Sequence, residues 1–174
     1  FVDLGLPSGL KWATCNVGAE NPYDYGNYYA WGETEPNNVY TIDECSTYYE
    51  NDLYNIYGNP QYDAAAAHWG GKWRMPTNVE MQELIDNCDW TWTTQNGVYG
   101  YEVKSKSSVN SIFIPAAGYR NNEELENAGT QGRYWCGTRP DPEHQGHCHI
   151  FEDNVNVCST EYRHHGLAIR PVFE

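Results

Sequence analysis

Residues 63–103, DAAAAHWGGKWRMPTNVEMQELIDNCDWTWTTQNGVYGYEV, contain the change of hydrophobic period that decides the fold. They open on four consecutive alanines, Ala64–Ala67, a strong local helix signal over Asp63–Trp69 that stops at Gly70-Gly71. A second helix begins at Thr77, where Thr77-Asn78-Val79-Glu80 has capping-box form: the hydroxyl accepts from the N3 amide and the carboxylate reaches back to the cap. Met81, Leu84, Ile85 and Cys88 then recur at helical spacing and define one buried face. Cys88 therefore reads as a core or disulfide residue rather than a reactive thiol. From Trp90 the period falls to two: Trp90 and Trp92 alternate, Gly97 turns the chain, and Val98–Val103 alternates again.

Outward from this stretch the chain reads as strands and turns. Val2–Ala13 alternates around Pro7-Ser8-Gly9 and predicts a hairpin, and Tyr25–Gly32 predicts a short aromatic strand. Residues 33–62, rich in Asn, Asp, Tyr and Pro, read as a long loop held by rings. Ile112–Gly118, Arg133–Trp135, His147–Phe151, Val155–Val157 and Leu167–Val172 supply further strands. Two short helices early and many strands late predict an α+β fold in a single domain spanning 1–174.

Composition narrows the function classes. Fifteen tyrosines and seven tryptophans in 174 residues point to a ring-rich core and exclude a disordered chain. A net charge of −14 repels phosphate backbones and argues against nucleic acid as a partner. No run approaches the roughly 20 apolar residues of a membrane span. The chain opens at Phe1 rather than methionine, as removal of a signal or upstream segment would leave it. Any membrane attachment is thus expected through an upstream anchor outside this sequence. Six cysteines permit up to three disulfides without requiring one, Cys15 with Cys88 among the pairings open, and no CxxC pair suggests a zinc ribbon or redox motif.

Six blocks carry a family resemblance: VDLGLPSGLKWATCNVGA (2–19), YGNYYAWGET (25–34), WGGKWRMPT (69–77), IFIPAAGYR (112–120), GRYW (132–135) and GLAIRPV (166–172). In this order, over nearly the whole chain, they resemble the Fibrobacter major paralogous domain family. That family is similar in turn to the formylglycine-generating-enzyme branch of the C-type-lectin-like fold, whose Arg-Leu-Pro-Thr motif Arg74-Met75-Pro76-Thr77 resembles. The resemblance implies a C-type-lectin-like domain with two short helices, a twisted antiparallel sheet and long aromatic-rich loops. It also implies export and display on a surface lipoprotein, a pilus-tip adhesin or a phage receptor-binding protein.

The residues raise four possible chemistries. Catalysis is not expected: nothing around Cys136, Cys148 or Cys158 matches the enzyme branch, and no Ser-His-Asp context occurs. Glu35-Pro36-Asn37 reproduces the tripeptide of calcium-dependent sugar-binding lectins, but it falls early in the chain with no Trp-Asn-Asp after it, and reads as a loop turn. His147 and His149 share a strand face beside Cys148, a spacing that suits a transition metal, yet the ligand order is irregular, so no dedicated metal or other cofactor is expected.

The fourth reading rests on the resemblance, whose relatives include the variable proteins of diversity-generating retroelements. In those, adenine-directed mutagenesis randomises a C-terminal segment, here 134–172 between the GRYW and GLAIRPV frames. An AGY serine codon altered at its adenine yields Cys, Gly or Arg, and an AAY asparagine codon yields residues such as His, Cys, Asp, Pro and Tyr. Pro140, Pro142, Cys148 and Cys158 belong to that menu; Glu143, Gln145, Glu152 and Glu161 do not, and should be fixed. The candidate ligand contacts are Cys136, Gly137, Arg139, Asp141, His144, His147, His149, Ser159, Thr160, Tyr162, His164 and His165. Trp135 and Ile169–Val172 are expected as buried frame, with Arg170 in a structural network. The expected partner is a protein or glycan on another cell surface; the alternative is a structural cell-envelope module with no dedicated ligand.

Overall fold

A computed structural model describes residues 1–141 and 143–174. Its elements in chain order are β1 (Val2–Asp3), β2 (Lys11–Trp12), α1 (Ala64–Trp69), β3 (Trp73–Arg74), α2 (Asn78–Asn87), β4 (Cys88–Gln95), β5 (Val98–Ser105), β6 (Ser111–Pro115), β7 (Tyr119–Asn121), β8 (Glu124–Glu126), β9 (Gln131–Trp135), β10 (Gln145–Glu152), β11 (Val155–Tyr162) and β12 (Val172–Phe173). Strand pairing between these elements is antiparallel, in the orders β1-β2-β12-β3, β4-β5-β6, β7-β8 and β11-β10-β9. The molecule is thus β-rich with two short helices, within the expected α+β class.

Both helices start as their sequences require. Asp63 caps α1 by accepting from Ala66 N (3.0 Å), and its other oxygen accepts from Gly58 N and Met75 N, which fixes the following strand against the helix. In α2 the capping box closes in both directions, Glu80 N to Thr77 Oγ1 (3.2 Å) and Thr77 N to Glu80 Oε2 (2.7 Å). The same carboxylate takes a bidentate bond from Arg74 at 2.9 and 2.7 Å.

Strand β10 is a wall between two cores. Tyr134, Cys136 and Phe151 face a cluster with Trp12, Met81, Leu84 and Val103, which α2 and the β4–β6 sheet cover. Trp135 and Cys148 face the opposite cluster with Tyr29, Trp31, Ile56, Ala64, Ala65 and Ile169, which α1 and the 17–56 segment cover. Alternation along β9 and β10 therefore separates one core from another rather than core from solvent.

Several expectations need correction. Tyr25–Gly32 is not a strand; it contributes a single bridge, Tyr29 to Leu167, because its glycines and rings fill gaps between sheets. Leu167–Val172 runs as isolated bridges until β12, and the strand expected over Ile112–Gly118 ends at Pro115, with one further bond from Ala116 N to Tyr99 O (2.8 Å). All six cysteines are thiols, so Cys15 and Cys88 are not joined; Cys88 lies in the core, where burial raises its pKa to about 11. The β7–β8 hairpin was not anticipated. Trp135, Ile169 and Val172 are buried, and Arg170, wholly buried, donates to Asn16 Oδ1 (2.8 Å), Ala13 O and Thr14 O.

Candidate functional site

The hairpin of β10 and β11 turns at Asp153-Asn154, with Asn154 in the left-handed region at φ 70°. Its register opposes His147 to Thr160, Cys148 to Ser159 and His149 to Cys158. Three expected contacts are corrected by this geometry. Cys136 is fully buried, its N–H donating to His147 O and its carbonyl accepting from Trp31 Nε1. Gly137 is buried against Tyr57, where an added Cβ would lie 2.6 Å from Tyr57 Cβ. His149 is fully buried between Trp90 and Phe151, at ring-centroid distances of 5.2 and 5.3 Å. At His149 the strand is enclosed by β9, β11 and the core on its own face, whereas His147, two residues earlier, remains partly exposed.

His149 gives the fold a specific acid sensitivity. Its Nε2 contacts Asn156 Oδ1 at 2.5 Å, whereas Nδ1 is buried without a partner, so a second proton would meet no acceptor. Burial accordingly lowers its pKa to about 4. The unfolded chain, with an ordinary imidazole near 6.5, takes the proton first, so this contribution to stability is complete above about pH 6.5 and is lost as pH falls toward 4. Between pH 7 and pH 5 the loss is about 2 kcal/mol. Urea titrations of the wild type and a His149→Gln variant should show the variant's stability flatter over this window; parallel curves would exclude the assignment.

The remaining nine candidates reach the surface at least in part, in three groups. His147, Ser159 and Thr160 stand on the hairpin, His147 and Thr160 as direct cross-strand neighbours. Arg139 lies over the Tyr54 ring (5.2 Å) and donates to Asn51 O and, through its backbone, to Asn55 Oδ1, with the exposed Asp141 beyond it. Pro142, also within the expected variable segment, lies outside the described residues. His144, Tyr162, His164 and His165 gather at the hairpin end opposite the turn.

This third group is joined by rings that the sequence reading did not single out. His144 stacks on Tyr48 at 4.7 Å and 11°, and its Nδ1 lies 2.7 Å from Tyr48 O. Tyr49 meets His144 edge-on (5.5 Å), Tyr48 meets His164 (5.5 Å), and His164 meets both His165 (4.5 Å) and Tyr162 (5.8 Å). Tyr49 and Tyr162 are 70% and 49% exposed, so the row ends on open ring faces at both sides. Burial, then the neighbouring His165, hold His164 below the ordinary imidazole pKa, which keeps it uncharged at neutral pH. Below the row, Glu161 bonds Arg133, and its Oε1 lies 3.0 Å from His165 Nδ1.

The 47–57 segment that brings these tyrosines is clamped along its length by the C-terminal segment. Arg163, 1% exposed, donates from Nη1 to Thr47 O (2.9 Å) and Glu50 O (3.0 Å), from Nε to Gln145 O (3.3 Å), and lies over the Trp31 ring at 4.6 Å. Further along, Ile56 N donates to Gly137 O (2.8 Å). The tyrosine density of 47–57 is the sequence signal for this segment, although density alone does not distinguish loop packing from an exposed row.

Among the described residues no group of three or more His, Cys, Asp or Glu side chains is placed to hold a metal ion. His149, turned inward, has its Nε2 against Asn156 Oδ1. Glu35-Pro36-Asn37 contains no cis peptide bond, and Asn37 Nδ2 is spent on Glu33 Oε2 (2.6 Å). No family model, curated protein or solved structure matches this chain.

Proposed function

We propose that this chain is a surface-displayed ligand-binding domain of C-type-lectin-like fold, and that its C-terminal segment is diversified by retroelement mutagenesis to bind varied protein or glycan targets. The observation that carries the reading is the continuous row Tyr49-His144-Tyr48-His164-Tyr162, open at its ends and set on a sheet whose interior is packed on both faces. Exposed rings of low conformational freedom supply contact area, and their hydroxyl and imidazole groups supply adaptable hydrogen bonds. Arg139 on Tyr54 adds a cation beside the row.

The burial pattern supports variation at some of these positions and not at others. Arg139, Asp141, His144, His147, Ser159, Thr160, Tyr162, His164 and His165 can change without opening a core, whereas Cys136, Gly137 and His149 cannot. Glu161, absent from the mutable codon menu, is occupied by Arg133 and His165.

Two measurements test the proposal. A near-identical repeat beside the gene should differ from it at template adenines, with the differences falling within 134–172 and mostly on its exposed codons. Differences elsewhere, or concentrated in the buried codons, would remove the diversified reading. A Tyr49→Ala, Tyr162→Ala double variant should lower affinity about 30-fold for any glycan or surface protein captured from an array, with unchanged thermal stability. Undiminished capture would move the site elsewhere, and no capture by the wild type would favour a structural envelope module.

A further inference from the structure

Strand β11 is the outer strand of the central sheet. The two-residue turn Asp153-Asn154 makes Glu152 and Val155 a hydrogen-bonded pair, a phase repeated at 150/157, 148/159 and 146/161. Both neighbours bear this phase out: Arg163 N donates to His144 O and Cys136 N to His147 O, each at 2.9 Å. The backbone N–H and C=O groups of Asn156, Cys158 and Thr160 therefore point away from β10. Among the described residues no backbone group meets them, while the next outward amide, Tyr162 N, is taken by Glu161 Oε1 (2.9 Å).

Free edges normally carry a proline, a bulge or an inward charge that discourages pairing. β11 has eight unbroken residues, and its single charge, Glu161, is tied to Arg133 and His165. Beside the edge, between β11 and α2, runs an open groove of about 460 Å³ lined by Val79, Glu83, Asp86 and Cys158 among others. Val79 and Val157 are 71% and 46% exposed, and no Lys or Arg lines the groove. A second copy of a chain carrying −14 would bring like charge to an acidic groove, so the complementary occupant is cationic.

We infer that β11 accepts an extended, basic peptide segment of a partner protein by strand addition, bonded along Asn156, Cys158 and Thr160, with its Lys or Arg side chains reaching Asp86 and Glu83. Among the described residues the Asp86 carboxylate holds only Gln82 (2.9 Å), whereas that of Glu83 also holds Ser8 N (2.9 Å) and Oγ (2.6 Å). This surface does not depend on the ring row, and Tyr49→Ala should leave it intact.

The test uses the full chain and a synthetic octapeptide alternating valine and lysine, beside the same peptide N-methylated at two adjacent central residues. The parent peptide should bind and shift the amide resonances of Asn156, Cys158 and Thr160. The methylated peptide, of equal charge but blocked on both edges, should bind at least about tenfold more weakly. Thr160→Pro removes an outward N–H and should weaken the parent peptide by a similar factor, and Glu83→Gln with Asp86→Asn should flatten its salt dependence. Equal binding of both peptides would reduce the effect to charge attraction and overturn the inference, as would absent binding or unmoved amides should Thr160→Pro fail to fold. A β11-mediated dimer in sedimentation would overturn it in favour of a second copy.

Discussion

Gly132→Ala is expected to destabilise the chain by about 4 kcal/mol, a fall in melting temperature of roughly 10 °C. Gly132 on β9 opposes Phe151 on β10, and the Phe151 ring lies over the glycine. An added Cβ would stand 2.5 and 2.6 Å from Phe151 Cε1 and Cε2 and nearer still to Cζ. The ring has no room to withdraw: it stacks on Tyr134 at 5.8 Å and meets Tyr101 edge-on at 5.4 Å, and all three are buried. Relief must come from parting β9 from β10, which opens both cores. Because the conflict is steric and local, Phe151→Leu in the same chain should restore more than half of the loss. A double-mutant cycle by thermal denaturation measures this coupling, and strictly additive effects would show that the strain lies elsewhere.

Arg163→Ala is expected to cost about 3 kcal/mol and to abolish the aromatic row. The guanidinium has no carboxylate partner; backbone carbonyls of Thr47, Glu50 and Gln145 hold it, with Trp31 beneath. Its removal strands those carbonyls, two of which fix the start of the tyrosine-bearing segment. Tyr48 and Tyr49 then lose their seat against His144. Lysine should rescue little, since one ammonium cannot reproduce the planar fork that spans three acceptors. Hydrogen exchange should rise across residues 47–57 in the variant while α2 stays protected. Protection unchanged at 47–57 would mean that Ile56–Gly137 pairing alone holds the segment.

Much of the scaffold was legible in the sequence because its signals are local. The Thr77–Glu80 capping box, the alanine run after Asp63 and the Trp90–Val103 alternation each depend on neighbours a few residues away. The candidate site was only partly legible, for two physical reasons. Period two shows that a strand has two faces but not whether both are covered, so His149 and Cys136 read as surface residues. Nor does tyrosine density show which hydroxylated rings turn outward. Tyr48 lies in the row and Tyr49 at its open end because Arg163, more than a hundred residues away, fixes the backbone beneath them.

The clamp between residues 47–57 and the C-terminal segment carries a combinatorial consequence. Of the twelve proposed contacts, three are sealed inside, and among the other nine Arg139, His144 and His164 lie against tyrosines encoded outside the proposed variable stretch. Every member of such a repertoire would inherit the same aromatic floor and alter only its rim. Sister proteins would then share a baseline attraction for rings and sugar faces while diverging in which target they retain. A synthetic library built on this chain should randomise the rim at Arg139, His144, Tyr162 and His164 and leave Tyr48, Tyr49 and Tyr54 untouched.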